Sequence, residues 1–244
     1  MTAPSAVKSA LPIVLTGTVL PSVAGPASGD VATRLAEYLR AIEFYLQYAP
    51  VIFLENSTYP LERQAQLWAS PGLHVRRFAP SLDPARGKGY QEFEMLDAWL
   101  ASDPQPPARW LKVTGRYRVL NIATILAECR RDSHTALLID QVPRASVART
   151  YLFCVQTELY RRRMAGLYRR CDDRAGDWIE RVVFRELRGA STTEARFFRT
   201  QPRIAAVAGS SGAAFPTGRV QWLFKQVLRR ANLLFDRQYL WYAK

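Results

Sequence analysis

An alternation runs along most of this chain and limits what it can fold into. Short apolar runs that close on small or polar residues are followed by stretches whose apolar residues recur at helical spacing. Ile13 to Val19 reads as a short buried strand, and Pro21 to Gly29, rich in Pro, Gly and Ser, as a loop. Asp30 is a predicted N-cap for a helix over Val31 to Tyr48, which Pro50 stops. Further strands are predicted at 51–54, 73–78, 110–114, 136–140 and 151–155, and further helices at 61–68, 90–101, 122–130, 156–171 and 177–187. Strands alternating with helices specify an α/β layered fold with a mostly parallel sheet flanked by helices. In such a sheet, ligands bind beyond the carboxyl ends of the strands. Polar clusters stand at those ends: Thr16-Gly17-Thr18, Glu55-Asn56-Ser57, Thr114-Gly115-Arg116 and Asp140. Their convergence carries more weight than any one of them.

The ends of the chain read differently. Residues 1–10 are expected to be a flexible N-terminus. Lys8 before the apolar run Leu11 to Leu20 has the look of a leader, but Pro12 and Thr16-Gly17-Thr18 interrupt the run, which fits a first strand better. No apolar stretch approaches the ~18 residues of a membrane-crossing helix. Residues 206–244 form a basic helical tail, in which Val220, Leu223, Phe224, Val227, Leu228, Ala231, Leu234 and Phe235 recur at helical spacing. Arg219, Lys225, Arg229, Arg230 and Arg237 supply charge, and Trp222, Tyr239, Trp241 and Tyr242 are aromatic. Such a helix either lies on an anionic lipid surface or packs on its own domain.

Charge separates the two parts of the chain. Of 34 Lys and Arg and 21 Asp and Glu, residues 151–244 hold 18 basic side chains against 8 acidic ones. That surplus suits phospholipid, a phosphorylated glycan or nucleic acid, or else forms a solvated basic surface. No nucleic-acid motif is present, so a nucleic-acid-binding module ranks below an enzyme, as does a non-catalytic membrane protein. Cys129, Cys154 and Cys171 lack metal-ligand spacing and fit a reducing compartment. With only two histidines, a zinc site or a Ser-His-Asp triad has little to draw on.

Several residue groups can carry chemistry, each with a plainer alternative. Gly87-Lys88-Gly89 opening a helix either offers N–H groups and an ammonium to a diphosphate or is a tight turn. Lys112 and Arg116 either add cations near the same phosphates or, for Lys112, mark an edge strand. Asp140 at a strand end either meets a metal or donor sugar, or caps a helix. Glu158 and Glu180 lie on predicted helices, where a carboxylate either takes a proton from an acceptor hydroxyl or pairs with a surface cation. Arg161-Arg162-Arg163 and Arg169-Arg170 form a basic run on one predicted helix, and Asp172-Asp173 is read as answering the arginines.

Leu-Thr-Gly-Thr at 15–18, Phe-Leu-Glu-Asn-Ser at 53–57, Gly-Lys-Gly-Tyr-Gln-Glu at 87–92, Lys-Val-Thr-Gly-Arg-Tyr at 112–117 and Trp-Ile-Glu-Arg-Val-Val-Phe at 178–184 together resemble bacterial glycosyltransferases of GT-A-like (Rossmann-like) fold that build O-antigen, capsule or lipooligosaccharide. The resemblance spans about residues 11–190. It implies a transferase domain over 11–205 that binds a nucleotide-sugar donor through Thr16, Gly17, Thr18, Glu55, Asn56, Ser57, Lys88, Gly89, Glu92, Lys112 and Gly115. Arg116, with Asp140 or Glu180 as carboxylate, would serve catalysis. The acceptor would be a glycan, lipid-linked, met on the inner face of the membrane by a cytoplasmic, peripheral enzyme. Many enzymes of this type carry Asp-x-Asp where Thr114-Gly115-Arg116 stands, so a Mn or Mg ion is doubtful here and cations are expected to stabilise the leaving diphosphate instead.

Overall fold

The computed structural model describes residues 11–21, 30–64, 68–205 and 218–234, apart from the side chains at 63, 64 and 232–234. The predicted flexible N-terminus, most of the loop after Pro21, the stretch 206–217, and Arg237, Tyr239, Trp241 and Tyr242 lie outside the described residues. The elements run β1 (Ile13–Gly17), α1 (Val31–Leu46), β2 (Val51–Glu55), β3 (Leu73–Arg77), α2 (Lys88–Ser102), β4 (Arg109–Thr114), β5 (Arg118–Val119), α3 (Ile122–Arg131), β6 (Leu137–Val142), β7 (Val147–Gln156), α4 (Ile179–Glu186), β8 (Ala195–Arg196), β9 (Ile204–Ala205) and α5 (Arg219–Leu234).

Among the described residues, seven strands form one sheet in the order β3-β2-β1-β4-β7-β6-β8, while β5 and β9 pair separately. The β1–β2, β1–β4, β2–β3 and β6–β8 pairings are parallel, and β7 runs against both β4 and β6. The sheet is therefore mostly parallel, with β7 as the one reversed strand. Strand order turns back at β1, which has β2 on one side and β4 on the other. A crevice opens at such a point beyond the strand ends.

Both faces of the sheet are covered, which is why its strands read as nearly continuous apolar runs. Side chains alternate between two cores. Ile13, Leu15, Phe53, Leu111 and Val113 meet Tyr38, Ile42 and Tyr45 of α1 and Ile125 and Leu126 of α3. Val14, Leu54, Trp110, Phe153 and Val155 meet Phe93, Leu96 and Trp99 of α2 and Ile179, Val182 and Val183 of α4. Trp110 is fully buried, edge-on to Trp99 at 5.2 Å, and gives its indole N–H to Thr157 Oγ1 at 3.0 Å. Emptying such a site costs about 3–5 kcal/mol. Asp30 caps α1 as expected, its carboxylate accepting the Thr33 N–H at 2.9 Å.

Three elements depart from the sequence reading. The predicted helix over 61–68 opens as a 3₁₀ turn, Leu61–Gln64, and is helical again at Trp68, with 65–67 outside the described residues. The predicted helix over 156–171 breaks into a short turn (Thr157–Leu159), a π-helical turn (Tyr160–Met164) and a 3₁₀ turn (Leu167–Arg170). Gly166 separates the last two with φ of 79°, held by the Asp97 carboxylate, which takes the Gly166 N–H and the Tyr160 hydroxyl. The arginines of that stretch therefore share no single face. Arg162 pairs with Glu194, and Arg163 and Arg170 pair with Glu186. Finally, Lys112 stands on no edge: β4 lies in the middle of the sheet and the lysine is wholly buried.

Candidate functional site

The ends of β1 and β2 are laced to each other. Glu55, fully buried, accepts through Oε1 the N–H of Val19 at 3.1 Å, the N–H of Ser57 at 3.0 Å and the Ser57 hydroxyl. Thr18 donates its hydroxyl to Asn56 Oδ1 at 2.6 Å, and Ser57 Oγ accepts the Leu20 N–H at 3.2 Å. Burial pushes the Glu55 carboxyl above its usual range, against the hydrogen bonds of Ser57 and Val19. Its Oε2 is buried without a hydrogen-bond partner among the described residues. Thr18, Glu55, Asn56 and Ser57 thus shape the two loops that border the crevice.

Thr16, Gly17 and Gly115 set how closely β1 approaches its neighbours. A Cβ on Gly115 would fall 2.5 Å from the Thr16 carbonyl oxygen, and one on Gly17 would fall 2.6 Å from the Phe53 ring. No other residue fits at 115 without moving the backbone.

Beneath the crevice lies a buried charged group. Lys112 Nζ stands 2.7 Å from Glu92 Oε1, 3.1 Å from Thr114 Oγ1 and 2.8 Å from the Thr150 carbonyl. An ammonium has three N–H donors, and three acceptors hold them. Lys112 therefore organises the site from below, and the sequence expectation that it reaches donor phosphates is corrected. Burial pushes its ammonium down and Glu92 pulls it back up. Glu92 also accepts the Thr16 hydroxyl, so β1, β4 and α2 meet at one carboxylate. Glu180, at the start of α4, accepts the Thr150 hydroxyl at 3.4 Å. Burial raises its carboxyl, and the nearby Glu92 and Asp173 raise it further, against Lys112.

Cations gather above. Arg116 Nη1 is 2.8 Å from Glu37 Oε2, and Arg34, buried on the same helix α1, gives Nε to the Val19 carbonyl at 3.2 Å and an Nη2 N–H to the Thr18 carbonyl. Burial, then the Arg116 and Arg34 guanidiniums, push the Lys88 ammonium down, while Asp173 pulls it up. Three cations thus stand close enough at the ends of β1 and β4 to repel one another.

Gly87 and Gly89 bring Lys88 there. Gly87 has φ of 118°, and its Cβ position lies 2.1 Å from the Asp173 carboxylate; that of Gly89 lies 2.2 Å from Ile179. The turn packs directly on the segment that carries Glu180. Asp173 accepts the Lys88 N–H, so the N-terminus of α2 already has its carboxylate. Part of the expected phosphate cradle of backbone N–H groups is thus taken by a carboxylate of the protein itself. Asp172, read alongside Asp173, pairs with Arg174 at 3.0 Å.

Asp140 has another partner. It is buried on β6 and held by both terminal nitrogens of Arg229 on α5, at 2.8 and 2.7 Å. A carboxylate in a buried two-point ion pair is not available as a base, which corrects its expected catalytic role and leaves Glu180. Arg34 escaped the sequence reading, although a signal existed: with Leu35, Tyr38, Ala41, Ile42 and Tyr45 it occupies the buried stripe of α1, where an arginine is out of place. Thr150, Glu37 and Asp173 carried no such mark. Among the described residues no group of three or more His, Cys, Asp and Glu side chains is placed to hold a metal ion.

No protein-family model and no curated protein sequence matches the chain. Solved structures resemble it distantly. Mouse xyloside xylosyltransferase 1 does so with a TM-score of 0.46 and 12% identity, over 77% of this chain and 84% of its own. A CMP:2-keto-3-deoxy-manno-octonic acid synthetase complexed with CTP gives 0.45 and 14%, over 93% and 100%. The 4-diphosphocytidyl-2C-methyl-D-erythritol synthase from Anaerococcus prevotii gives 0.44 and 12%, over 95% and 100%. Likenesses this weak leave the fold to be read from the strand order, and the chemistry from the residues of the site.

Proposed function

We propose that this protein is a GT-A-like glycosyltransferase, which moves a sugar from a nucleotide-sugar donor to a glycan acceptor during the building of a bacterial surface glycan. The observation that carries the reading is that both halves of the chemistry gather beyond the ends of β1 and β4. Arg34, Lys88 and Arg116 form an anion seat at the ends of β1 and β4, and Glu180, a carboxylate with a raised pKa, stands on the segment packed against Lys88. The nucleoside sits between the loops at 16–18 and 55–57, and its diphosphate lies on the cations. An acceptor hydroxyl attacks the anomeric carbon as the bond from that carbon to the diphosphate oxygen breaks. The hydroxyl proton passes to Glu180, and the charge growing on the diphosphate is met by Lys88 and Arg116. Glu92 and Lys112 hold the strand ends in register beneath.

The acceptor is proposed to be lipid-linked and reached at the cytoplasmic face of the membrane. Among the described residues no helix is long and apolar enough to cross a membrane, which fits attachment from one side.

The test is a thermal-shift series with UDP-, GDP-, CMP- and dTDP-sugars, with and without Mn²⁺. A donor bound at a hundred times its Kd stabilises the native state by about 2.7 kcal/mol. One base family is expected to give a clear shift without metal, and Arg116→Ala is expected to abolish it. A full shift in Arg116→Ala removes that residue from the site. No shift with any donor, in either condition, overturns the reading.

A further inference from the structure

A second basic site lies at the opposite end of the sheet from β3. Helix α5 packs on the body of the protein by its polar side. Gln226 and Arg229 are buried; Gln226 accepts the Gln201 N–H and gives its amide to the Arg199 carbonyl at 3.1 Å, and Arg229 reaches Asp140. Trp222 donates its indole N–H to the Gln201 carbonyl at 2.7 Å. The apolar side is left facing water: Val220, Leu223, Phe224 and Val227, spaced as one helical stripe, are 82%, 53%, 61% and 64% exposed. A helix that exposes its apolar face and buries its polar one is placed for a partner.

Beside the stripe is a cleft of about 1280 Å³, formed by the end of α3, the end of β6, the chain after α4, β8 and α5. Five arginines line it: Arg131, Arg188, Arg196, Arg199 and Arg230. Asp132 stands between two of them, 3.5 Å from Arg131 and 3.6 Å from Arg199. Glu128 also lines the cleft, but its two oxygens are taken by the N–H groups of Arg199 and Thr200. Arg188, Arg196 and Arg230 make no ion pair among the described residues, and Arg230 follows Val227 by three positions, joining the cleft to the stripe.

We infer that this cleft and stripe together bind an anionic bilayer: the arginines take phosphate groups of lipid headgroups while Val220, Leu223, Phe224 and Val227 enter the boundary of the acyl chains. Guanidiniums match phosphate oxygens in two-point hydrogen bonds, and an exposed apolar stripe rimmed by cations is the signature of a surface-lying helix. A second copy of the chain is the poorer occupant, because stripe against stripe would bring Arg219, Lys225 and Arg230 towards their own images. The inference deepens the proposed attachment to a membrane, yet none of the cleft residues belongs to the donor crevice, so the two stand or fall separately.

The test is co-sedimentation of the full chain with vesicles of phosphatidylcholine alone or with about one-third phosphatidylglycerol, a fraction at which each juxtamembrane cation contributes about fivefold in affinity. Binding is expected to the anionic vesicles only and to weaken with salt. Arg188→Glu with Arg196→Glu should lower it at least tenfold, as should Phe224→Ser with Val227→Ser. All four positions are on the surface or the cleft wall, and unchanged Tm verifies folding. Inorganic diphosphate is the competing probe: if it binds the cleft tightly while vesicles do not bind, the site serves a soluble anion and the inference is overturned. Equal binding to neutral vesicles overturns it, as does a dimer in light scattering that Phe224→Ser with Val227→Ser dissociates. Donor thermal shifts in the same variants report on the crevice: vesicle binding lost with donor shifts intact supports the separation, and loss of both together overturns it.

Discussion

Glu92→Gln tests the buried charged group under the crevice. In the native protein Lys112 is 0% exposed and Glu92 19% exposed, with 2.7 Å between them. The substitution keeps size and an acceptor oxygen but removes the carboxylate paired with the lysine. Breaking a buried ion pair costs about 3–5 kcal/mol, and because Glu92 is partly wetted the low end applies, about 3 kcal/mol. For a chain of this length that is a fall in Tm of about 6–12 °C. Lys112→Met should cost less, about 1–2 kcal/mol, since the stranded carboxylate can reach water and keeps the Thr16 hydroxyl. The double variant should recover part of the loss, giving a coupling of about 2 kcal/mol in a double-mutant cycle.

The pH dependence gives an independent sign. Burial already lowers the Lys112 pKa in the folded state, and removing Glu92 deletes the main opposing pull. The folded chain then binds fewer protons at this site than the unfolded one, so stability rises with pH between the depressed folded value and the unfolded value near ~10.4. The Glu92→Gln deficit should therefore shrink as pH rises towards the unfolded lysine value. Urea titrations at three pH values measure it. Equal and additive losses in the two single variants, or a deficit that does not change with pH, would refute the argument.

Two further outcomes are expected. Gly115→Ala forces a methyl to within 2.5 Å of the Thr16 carbonyl oxygen and should cost about 1–3 kcal/mol in urea denaturation, with a weaker donor shift; a variant as stable as the parent would show that β1 and β4 are free to part. Glu180→Gln should lower transfer by about 10²–10⁴-fold, and the parent's activity should rise with pH through a value above the usual glutamate range, since burial raises that carboxyl; full activity in the variant would remove Glu180 as base.

Much of the framework was legible in the chain. The strand–helix alternation specified the layered fold, because a strand buried on both faces must be apolar throughout and a covering helix must show its stripe. The polar ends of β1, β2 and β4 marked the crevice, since the fold itself directs those ends to one edge. Local signals with a strong physical cause held as well: Asp30 caps α1, and Gly87, with its positive φ, makes the turn before α2.

What the chain could not state was pairing across distance. Lys112 looks like an exposed charge until β4 is set between β1 and β7, where Glu92 pairs with it from another layer. Asp140 looks like a site carboxylate until Arg229 arrives from 89 positions away. Asp173 and Lys88, or Arg34 and the Thr18 carbonyl, meet for the same reason. Composition and periodicity determine which faces are buried, because burial of apolar area is non-directional and local in sequence. Charge neutralisation depends on which partner the packing delivers, so the tertiary structure alone decided which cations gather at the ends of β1 and β4, which carboxylate is tied up by Arg229, and which side of α5 faces outward.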